Sequence, residues 1–165
     1  MRAVVVYESL WGNTAAVAAA VAEGLGAGTR ALSTAAATAA ELAGADLIVA
    51  GAPVLGFHMP SEKMLDGLHA KPADAPRPAD LSQPLMQDWL AALPAGHGRS
   101  AAFDTQVRGP FGSAGPAISR GLERAGYEPL AKPAGFLVKG KYGPLRDGEL
   151  ERARVWGAEL RRLMG

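Results

Sequence analysis

The sequence contains no cysteine among its 165 residues. This absence excludes thiolate catalysis, disulfide bonds and cysteine-ligated clusters, so no redox chemistry can come from thiols. No apolar run approaches the roughly eighteen residues of a membrane span, and no charged-then-apolar leader precedes the first apolar stretch. We therefore expect a cytoplasmic protein without a membrane partner.

The sequence also lacks an excess of either charge. Lys and Arg total 17 against 16 Asp and Glu, which gives a net charge of +1, and the basic residues are scattered along the chain. A nucleic-acid partner is therefore not expected. With 48% hydrophobic residues, a chain of 165 residues can bury one sizeable core but not two. We expect a single domain over residues 1–165, and the sequence leaves its oligomeric state open.

The first twenty-five residues predict a strand, a polar loop and a helix. Val4 to Tyr7 are consecutive β-favouring residues without polar alternation, as in a parallel strand buried on both faces. After residues 8–14, apolar residues recur at helical spacing on one face, and Gly26 stands where a helix C-cap is expected. The loop between them therefore lies at the carboxyl end of the sheet and at the N-terminus of a helix.

This loop is suited to bind an anion. Its last residues present backbone N–H groups, Gly12 allows close approach, and Ser9, Asn13 and Thr14 add side-chain donors. The loop itself contains no Lys or Arg. A purely structural alternative is that Ser9 and Thr14 only cap the helix.

The rest of the chain predicts four more strands alternating with helices. The strands are expected near residues 29–32, 46–50, 100–104 and 135–139. Residues 71–80 contain three prolines and are interpreted as a surface excursion within the domain. Ser82 is predicted to cap the next helix, with Pro84 in its first turn.

This alternation predicts an α/β fold, a doubly wound five-stranded parallel sheet with helices on both faces and strand order 2-1-3-4-5. In that order the sheet reverses between strands 1 and 3. The loops at residues 8–14 and 51–60 then flank the crevice where such sheets bind ligands, and residues 104–112 lie beside them.

The motif YESLWGNTAAVAAAVAEGL resembles the opening of the flavodoxin family, whose phosphate loop has the form S/T-x-T-G-N-T. Ser9, Gly12, Asn13 and Thr14 match that form, whereas Trp11 replaces a hydroxyl residue. An aromatic at this position is similar to the loops of flavodoxin-like quinone reductases. The segment from Gly135 to Leu145 resembles the final strand of short-chain members.

The resemblance implies an FMN cofactor held by three loops, with the phosphate in the first and the flavin between the other two. Phe57 or His58 would cover one flavin face and Phe111 the other, although Phe57 could instead pack into the core. The candidate cofactor-binding residues are Ser9, Leu10, Trp11, Gly12, Asn13, Thr14, Pro53, Val54, Leu55, Gly56, Phe57, His58, Asp104, Thr105, Gln106, Arg108 and Phe111.

Three functions are compatible with this resemblance. The first is an electron-transfer protein that passes single electrons to a redox partner protein. The second is a small FMN-dependent oxidoreductase acting on a quinone or a tetrapyrrole precursor. The third is a flavodoxin-like binding module without FMN. No substrate-specific group favours the second function over the first, so electron transfer is the leading expectation.

Other cofactor and metal sites fit the sequence poorly. The glycines between Gly24 and Gly28 follow a helix and lack the spacing of a dinucleotide fingerprint. A response-regulator receiver needs an acidic residue closing the third strand, where this chain has Gly51, Ala52 and Pro53. The three histidines are far apart in sequence, so no metal site is expected.

Overall fold

The computed structural model describes residues 1–165 and contains a single parallel sheet. The strands are β1 (Ala3–Tyr7), β2 (Arg30–Ser33), β3 (Leu47–Pro53), β4 (Arg99–Val107), β5 (Glu128–Pro129) and β6 (Ala134–Val138). Their order is β2-β1-β3-β4-β5, and β6 also pairs with β4. The predicted fold class is therefore confirmed.

Two apolar layers cover the two faces of this sheet. The helices are α1 (Asn13–Leu25), α2 (Ala39–Leu42), α3 (Glu62–Asp66), α4 (Met86–Ala92), α5 (Gly115–Arg124) and α6 (Glu149–Met164). Val5 of β1 packs with α1 and α6 on one face, whereas Val4 and Val6 pack with α4 and α5 on the other. This alternation follows from the two-residue period of a strand. No helix is both long enough and apolar enough to cross a membrane.

The strands differ from the sequence prediction in three places. Strand β3 continues to Pro53 rather than ending near residue 50. Strand β4 extends to Val107, so Thr105 and Gln106 belong to the strand rather than to the loop after it. The reason is tertiary, because Phe103–Val107 pair in register with Ala134–Val138 of β6, and Thr105 also pairs with Pro53 of β3. The predicted fifth strand at residues 135–139 is β6, and the two-residue strand β5 is an additional strand that was not predicted. The two pair with opposite ends of β4.

The helix predicted to begin at Ser82 begins instead at Met86, so this prediction is wrong. Ser82 donates its backbone N–H and its hydroxyl to Asp80 and does not cap the helix. The side chain of Gln83 accepts from the N–H of Ser9 and donates to its carbonyl. These bonds hold residues 82–85 against the start of the first loop and delay the helix by one turn.

The predicted surface excursion at residues 71–80 is mostly exposed, and it crosses the outside of the first loop. Trp11 Nε1 donates to the carbonyl of Arg77 at 3.2 Å, and the Arg77 guanidinium donates to the carbonyl of Trp11 at 2.5 Å. The N–H of Asp80 donates to the carbonyl of Leu10 at 2.8 Å. We name residues 71–80 the strap, because these bonds fasten the segment over the loop.

Candidate cofactor site

The loop between β1 and α1 is shaped by Gly12, which has φ of 92° and forms the N-cap of α1. Ser9 Oγ accepts hydrogen bonds from the N–H groups of Gly12 and Ala15, at 3.1 and 3.2 Å. Ser9 therefore satisfies two of the donors at this helix end. Ser9 thus caps the start of α1, as the purely structural alternative predicted, although it lies three residues before the N-cap.

Four neighbouring backbone donors of the same loop bond to no protein acceptor. They are the N–H groups of Leu10, Trp11, Asn13 and Thr14. All four residues line one cleft, whereas Gly12, whose N–H is bonded to Ser9, does not. Unpaired donors at a helix N-terminus attract an anion through both hydrogen bonding and the helix dipole. This end of the cleft is therefore suited to a phosphate or a carboxylate.

The buried hydroxyl of Thr14 lies at the same end of the cleft. Its Oγ1 is 2.8 Å from Oγ1 of Thr105, at the carboxyl end of β4. One hydroxyl of such a pair donates to the other, so the accepting hydroxyl keeps its own proton for a further partner. The bond also ties the first turn of α1 to β4.

The cleft has a volume of about 380 Å³ and opens at the carboxyl ends of β1, β3 and β4. Its lining brings together thirteen of the predicted site residues: Ser9, Leu10, Trp11, Asn13, Thr14, Pro53, Val54, Leu55, Gly56, Phe57, Thr105, Gln106 and Phe111. This volume is within the range of about 300 to 1,000 Å³ that is usual for small-molecule sites. No carboxylate is among the lining residues.

Two exposed aromatic rings belong to the end of the cleft formed by the loops after β3 and β4. Phe57 is 56% exposed and Phe111 is 49% exposed, so neither is a core residue. Phe57 has a positive φ of 75°, which is unusual for a bulky residue, and it follows Gly56 in a tight turn closed by Leu55 and His58. Such local strain is concentrated at binding sites.

The two aromatic loops are held together through a glycine. Gly112 forms a bridge to Phe57, and a Cβ added at residue 112 would lie 2.5 Å from the Cα of Phe57. This close approach of two backbones fixes the spacing of the loops that carry Phe57 and Phe111. The cleft therefore joins donors for an anion to a pair of exposed rings.

Four predicted site residues do not line the cleft. His58 and Arg108 are exposed outside it, and Gly12 lies behind it, facing Arg77. Asp104 is buried, and its carboxylate accepts from the N–H groups of Ala114 and Gly115 at 2.8 and 2.9 Å. Asp104 therefore satisfies the N-terminus of α5.

Three lining residues were missed by the sequence prediction: Val107, Val138 and Lys141. Val107 and Val138 are paired ends of β4 and β6. Lys141 belongs to the segment that follows β6, and the Asn13 side-chain amide donates to the carbonyl of its neighbour Tyr142 at 3.1 Å. The available signal was the position of this segment after a predicted parallel strand, where ligand-binding loops occur.

Glu8, the first residue of the loop, is a buried acid with 1% exposure. Its Oε1 accepts from the N–H of Met86 at 2.8 Å, so a residue of the first loop caps α4. Burial raises the pKa of Glu8 to about 7; the hydrogen bond from Met86 opposes this shift, and the nearby charge of Asp88 adds to it.

Comparison with known proteins finds a shared fold but no sequence match. No family model matches the chain, and no curated protein matches it in sequence. A flavodoxin from the domain Archaea is 22% identical, with a TM-score of 0.68 and 99% coverage of both chains. Oxidised flavodoxin 2 from Bacillus cereus is 16% identical, with a TM-score of 0.67 and coverage of 98% of this chain and 99% of that one.

A third solved structure is similar over its entire length. It is a short-chain flavodoxin associated with a non-canonical PDU bacterial microcompartment, 15% identical, with a TM-score of 0.67 and 100% coverage of both chains. The resemblance to the flavodoxin family is therefore confirmed at the level of the fold.

Proposed function

We propose that this chain, which has the flavodoxin fold, binds FMN in the cleft and transfers electrons. One observation carries the proposal: a single cleft joins four unpaired backbone N–H groups to the loops that bear two exposed aromatic rings. The bound flavin would supply the redox chemistry, and the protein would supply its orientation and electrostatic surroundings.

The residues of the first loop fit the phosphate group. The N–H groups of Leu10, Trp11, Asn13 and Thr14 are the donors, and the Thr14 hydroxyl adds a further one when Thr105 donates to it. Trp11 contributes no hydroxyl, and its ring packs edge-on against Tyr142 with centroids 4.6 Å apart. Its indole N–H is directed to Arg77, so Trp11 closes the outer wall of the loop.

The other end of the cleft fits a flat aromatic group. Phe57 and Phe111 line this end of the cleft, and about half of each side chain is exposed. Stacked or edge-on contact with such rings stabilises a planar heteroaromatic ring. Pro53, Val54 and Leu55 supply apolar lining that excludes water from the same space. Val54 stands where flavodoxins usually have a threonine, so that side chain would contribute packing without a hydrogen bond.

The visible absorption spectrum of the purified protein tests the proposal. We expect a yellow protein, or a colourless apoprotein that regains the flavin spectrum when FMN is added and free FMN is removed. A colourless protein that cannot be reconstituted would contradict the proposal and leave the fold as a binding module.

Replacing Thr14 with Ala should weaken FMN binding by about tenfold. A hydroxyl that donates to a phosphate dianion forms a charge-assisted hydrogen bond worth about 1.5 kcal/mol or more. Fluorescence titration of the apoprotein with FMN measures this change. Thr38→Ala is the matched control, because Thr38 caps α2 through Glu41 and does not line the cleft. Equal affinity in the two variants would mean that the Thr14 hydroxyl serves only its bond to Thr105.

A second candidate function is two-electron reduction of a small quinone-like substrate, and the charge of the cleft favours it. The only charged lining residue is Lys141, and the one acid predicted here, Asp104, is directed to the backbone of α5. The positive charge of Lys141 would favour additional electrons on a bound flavin. A second one-electron reduction of FMN would then be easier, which would favour two-electron chemistry.

Potentiometric titration of the FMN complex tests this electrostatic argument. Replacing Lys141 with Met should lower the second one-electron potential by at most about 60 mV, because one charge about 10 Å away contributes on the order of 1.5 kcal/mol before salt screening. Lys139→Met is the control, since Lys139 pairs with Asp147 at 3.7 Å and does not line the cleft. A second potential that is unchanged in the Lys141 variant would contradict the argument.

A further inference from the structure

Lys141 lines the cleft, and its positive charge is unpaired. It forms no ion pair and no side-chain hydrogen bond, and its ammonium lies 5.6 Å from the ring centroid of Tyr142. Lys139, two residues earlier, has Asp147 as its partner. The segment after β6 therefore contributes one unpaired lysine to the cleft lining, whereas its other lysine is paired outside the lining.

The backbone beside Lys141 is attached to the first turn of α1. The side-chain amide of Asn13 donates to the carbonyl of Tyr142, and Gly143 packs so closely that a Cβ there would lie 2.5 Å from this amide. Asn13 also contributes one of the unpaired N–H groups of the loop. Lys141 therefore lies at the anion-binding end of the cleft.

Arg77 of the strap brings a second cation to the opposite side of the same loop. Its Nη2 donates to the Trp11 carbonyl and would lie 2.5 Å from a Cβ at Gly12. The two acids closest to it in sequence form no ion pair with it: Asp74 accepts from the Tyr142 hydroxyl, and Asp80 accepts from Ser82. Asp80 is nevertheless near enough for the Arg77 charge to help lower its pKa, after the hydrogen bonds from Ser82, so Asp80 offsets part of that charge. Arg77 thus places a positive charge against the backbone that would hold the phosphate.

We propose that Lys141 and Arg77, supplied by two segments outside the phosphate loop, provide the counter-charge for the FMN phosphate, with Lys141 in direct contact and Arg77 acting through the loop. This inference rests on the proposed function. A phosphate dianion held only by neutral donors keeps its full charge in a partly desolvated cleft, which carries a desolvation penalty. Two nearby cations reduce this penalty. The protein should therefore discriminate FMN from riboflavin by charge.

Titrations of the apoprotein with FMN and with riboflavin, at low and high salt, test this inference. Lys141→Met should weaken FMN binding about fivefold at low salt, as expected for one partly exposed ion pair, and should leave riboflavin binding unchanged. The difference should shrink at high salt, because salt screens exposed charges. Lys141→Arg should retain the affinity, and Lys139→Met should change neither titration.

Arg77 requires a substitution that preserves the loop. Arg77→Gln removes the charge but keeps an N–H donor for the Trp11 carbonyl, and it should weaken binding of FMN but not of riboflavin. Arg77→Lys keeps the charge and should retain the FMN affinity. Equal effects of Lys141→Met on FMN and riboflavin, or no effect on either, would overturn the inference while the function stands. A wild-type protein that binds neither flavin would overturn the proposed function itself.

Discussion

Replacing Gly12 with alanine is expected to weaken FMN binding by at least about a hundredfold. Gly12 has φ of 92°, a conformation that costs an L-residue about 1 to 2 kcal/mol. A Cβ there would also lie 2.5 Å from Nη2 of Arg77, which is held by its bond to Trp11. The flexible Arg77 side chain can move away from this contact and lose its bond to Trp11, but the strain at residue 12 is relieved only by a shift of the backbone of residues 11–13. That segment carries two of the unpaired N–H groups, each worth about 1.5 to 3 kcal/mol to a charged ligand.

Gly28→Ala is the matched control for this experiment. Gly28 has φ of 89°, nearly the same as Gly12, but a Cβ at residue 28 meets nothing within 4 Å. Both variants carry the backbone strain, so both should unfold at somewhat lower denaturant concentration. Only Gly12→Ala should lose FMN affinity in a fluorescence titration. Equal affinity in the two variants would show that the backbone conformation of the loop at Gly12 has no role in binding.

The second large effect is expected from Glu8→Gln, which should remove a pH dependence of stability. The pKa of Glu8 is raised from 4.5 to about 7 in the folded protein, chiefly by burial. Between these two values the folded protein holds a proton that the unfolded chain has released. The contribution of Glu8 to the free energy of unfolding is therefore fully present below pH 4.5. This contribution falls by on the order of 3 kcal/mol as the pH rises to about 7.

Glutamine keeps an oxygen that can accept from Met86 but does not ionise. The variant and the wild type should therefore have similar free energies of unfolding near pH 4.5. Near pH 8 the free energy of unfolding of the variant should exceed that of the wild type by about 3 kcal/mol. Urea unfolding of both proteins across this range measures the difference. Glu123→Gln controls for the loss of one carboxylate, since Glu123 is exposed on α5 and accepts no side-chain hydrogen bond. A stability difference between Glu8→Gln and wild type that is constant with pH would contradict this account.

The local parts of the fold could be predicted from the sequence because each is specified by neighbouring residues. The apolar run from Val4 identifies β1, and Gly26, with φ of 106°, ends α1 as expected. The convergence of Phe57 and Phe111 followed from strand order alone, since both come after adjacent parallel strands. That these rings contact a cofactor stays a prediction.

What the sequence did not reveal depends on pairs that are far apart in the chain. Glu8 caps a helix 78 residues later, and Arg77 contacts a loop 66 residues earlier. Neither pair leaves a local pattern, because periodicity and capping signals extend over only a few residues. The same reason explains the end of β4. Its polar residues Thr105 and Gln106 belong to the strand because both pair with β6 and Thr105 also pairs with β3.

The central claim is that the unpaired N–H groups of the first loop bind the phosphate of FMN. Backbone amide NMR of the apoprotein during titration with FMN tests it most directly. We expect the amide protons of Leu10, Trp11, Asn13 and Thr14 to move downfield as they donate to the phosphate, together with changes at Phe57 and Phe111. Riboflavin should change the signals of the two aromatic residues alone. The account would be contradicted if FMN bound and left these four amide signals in place.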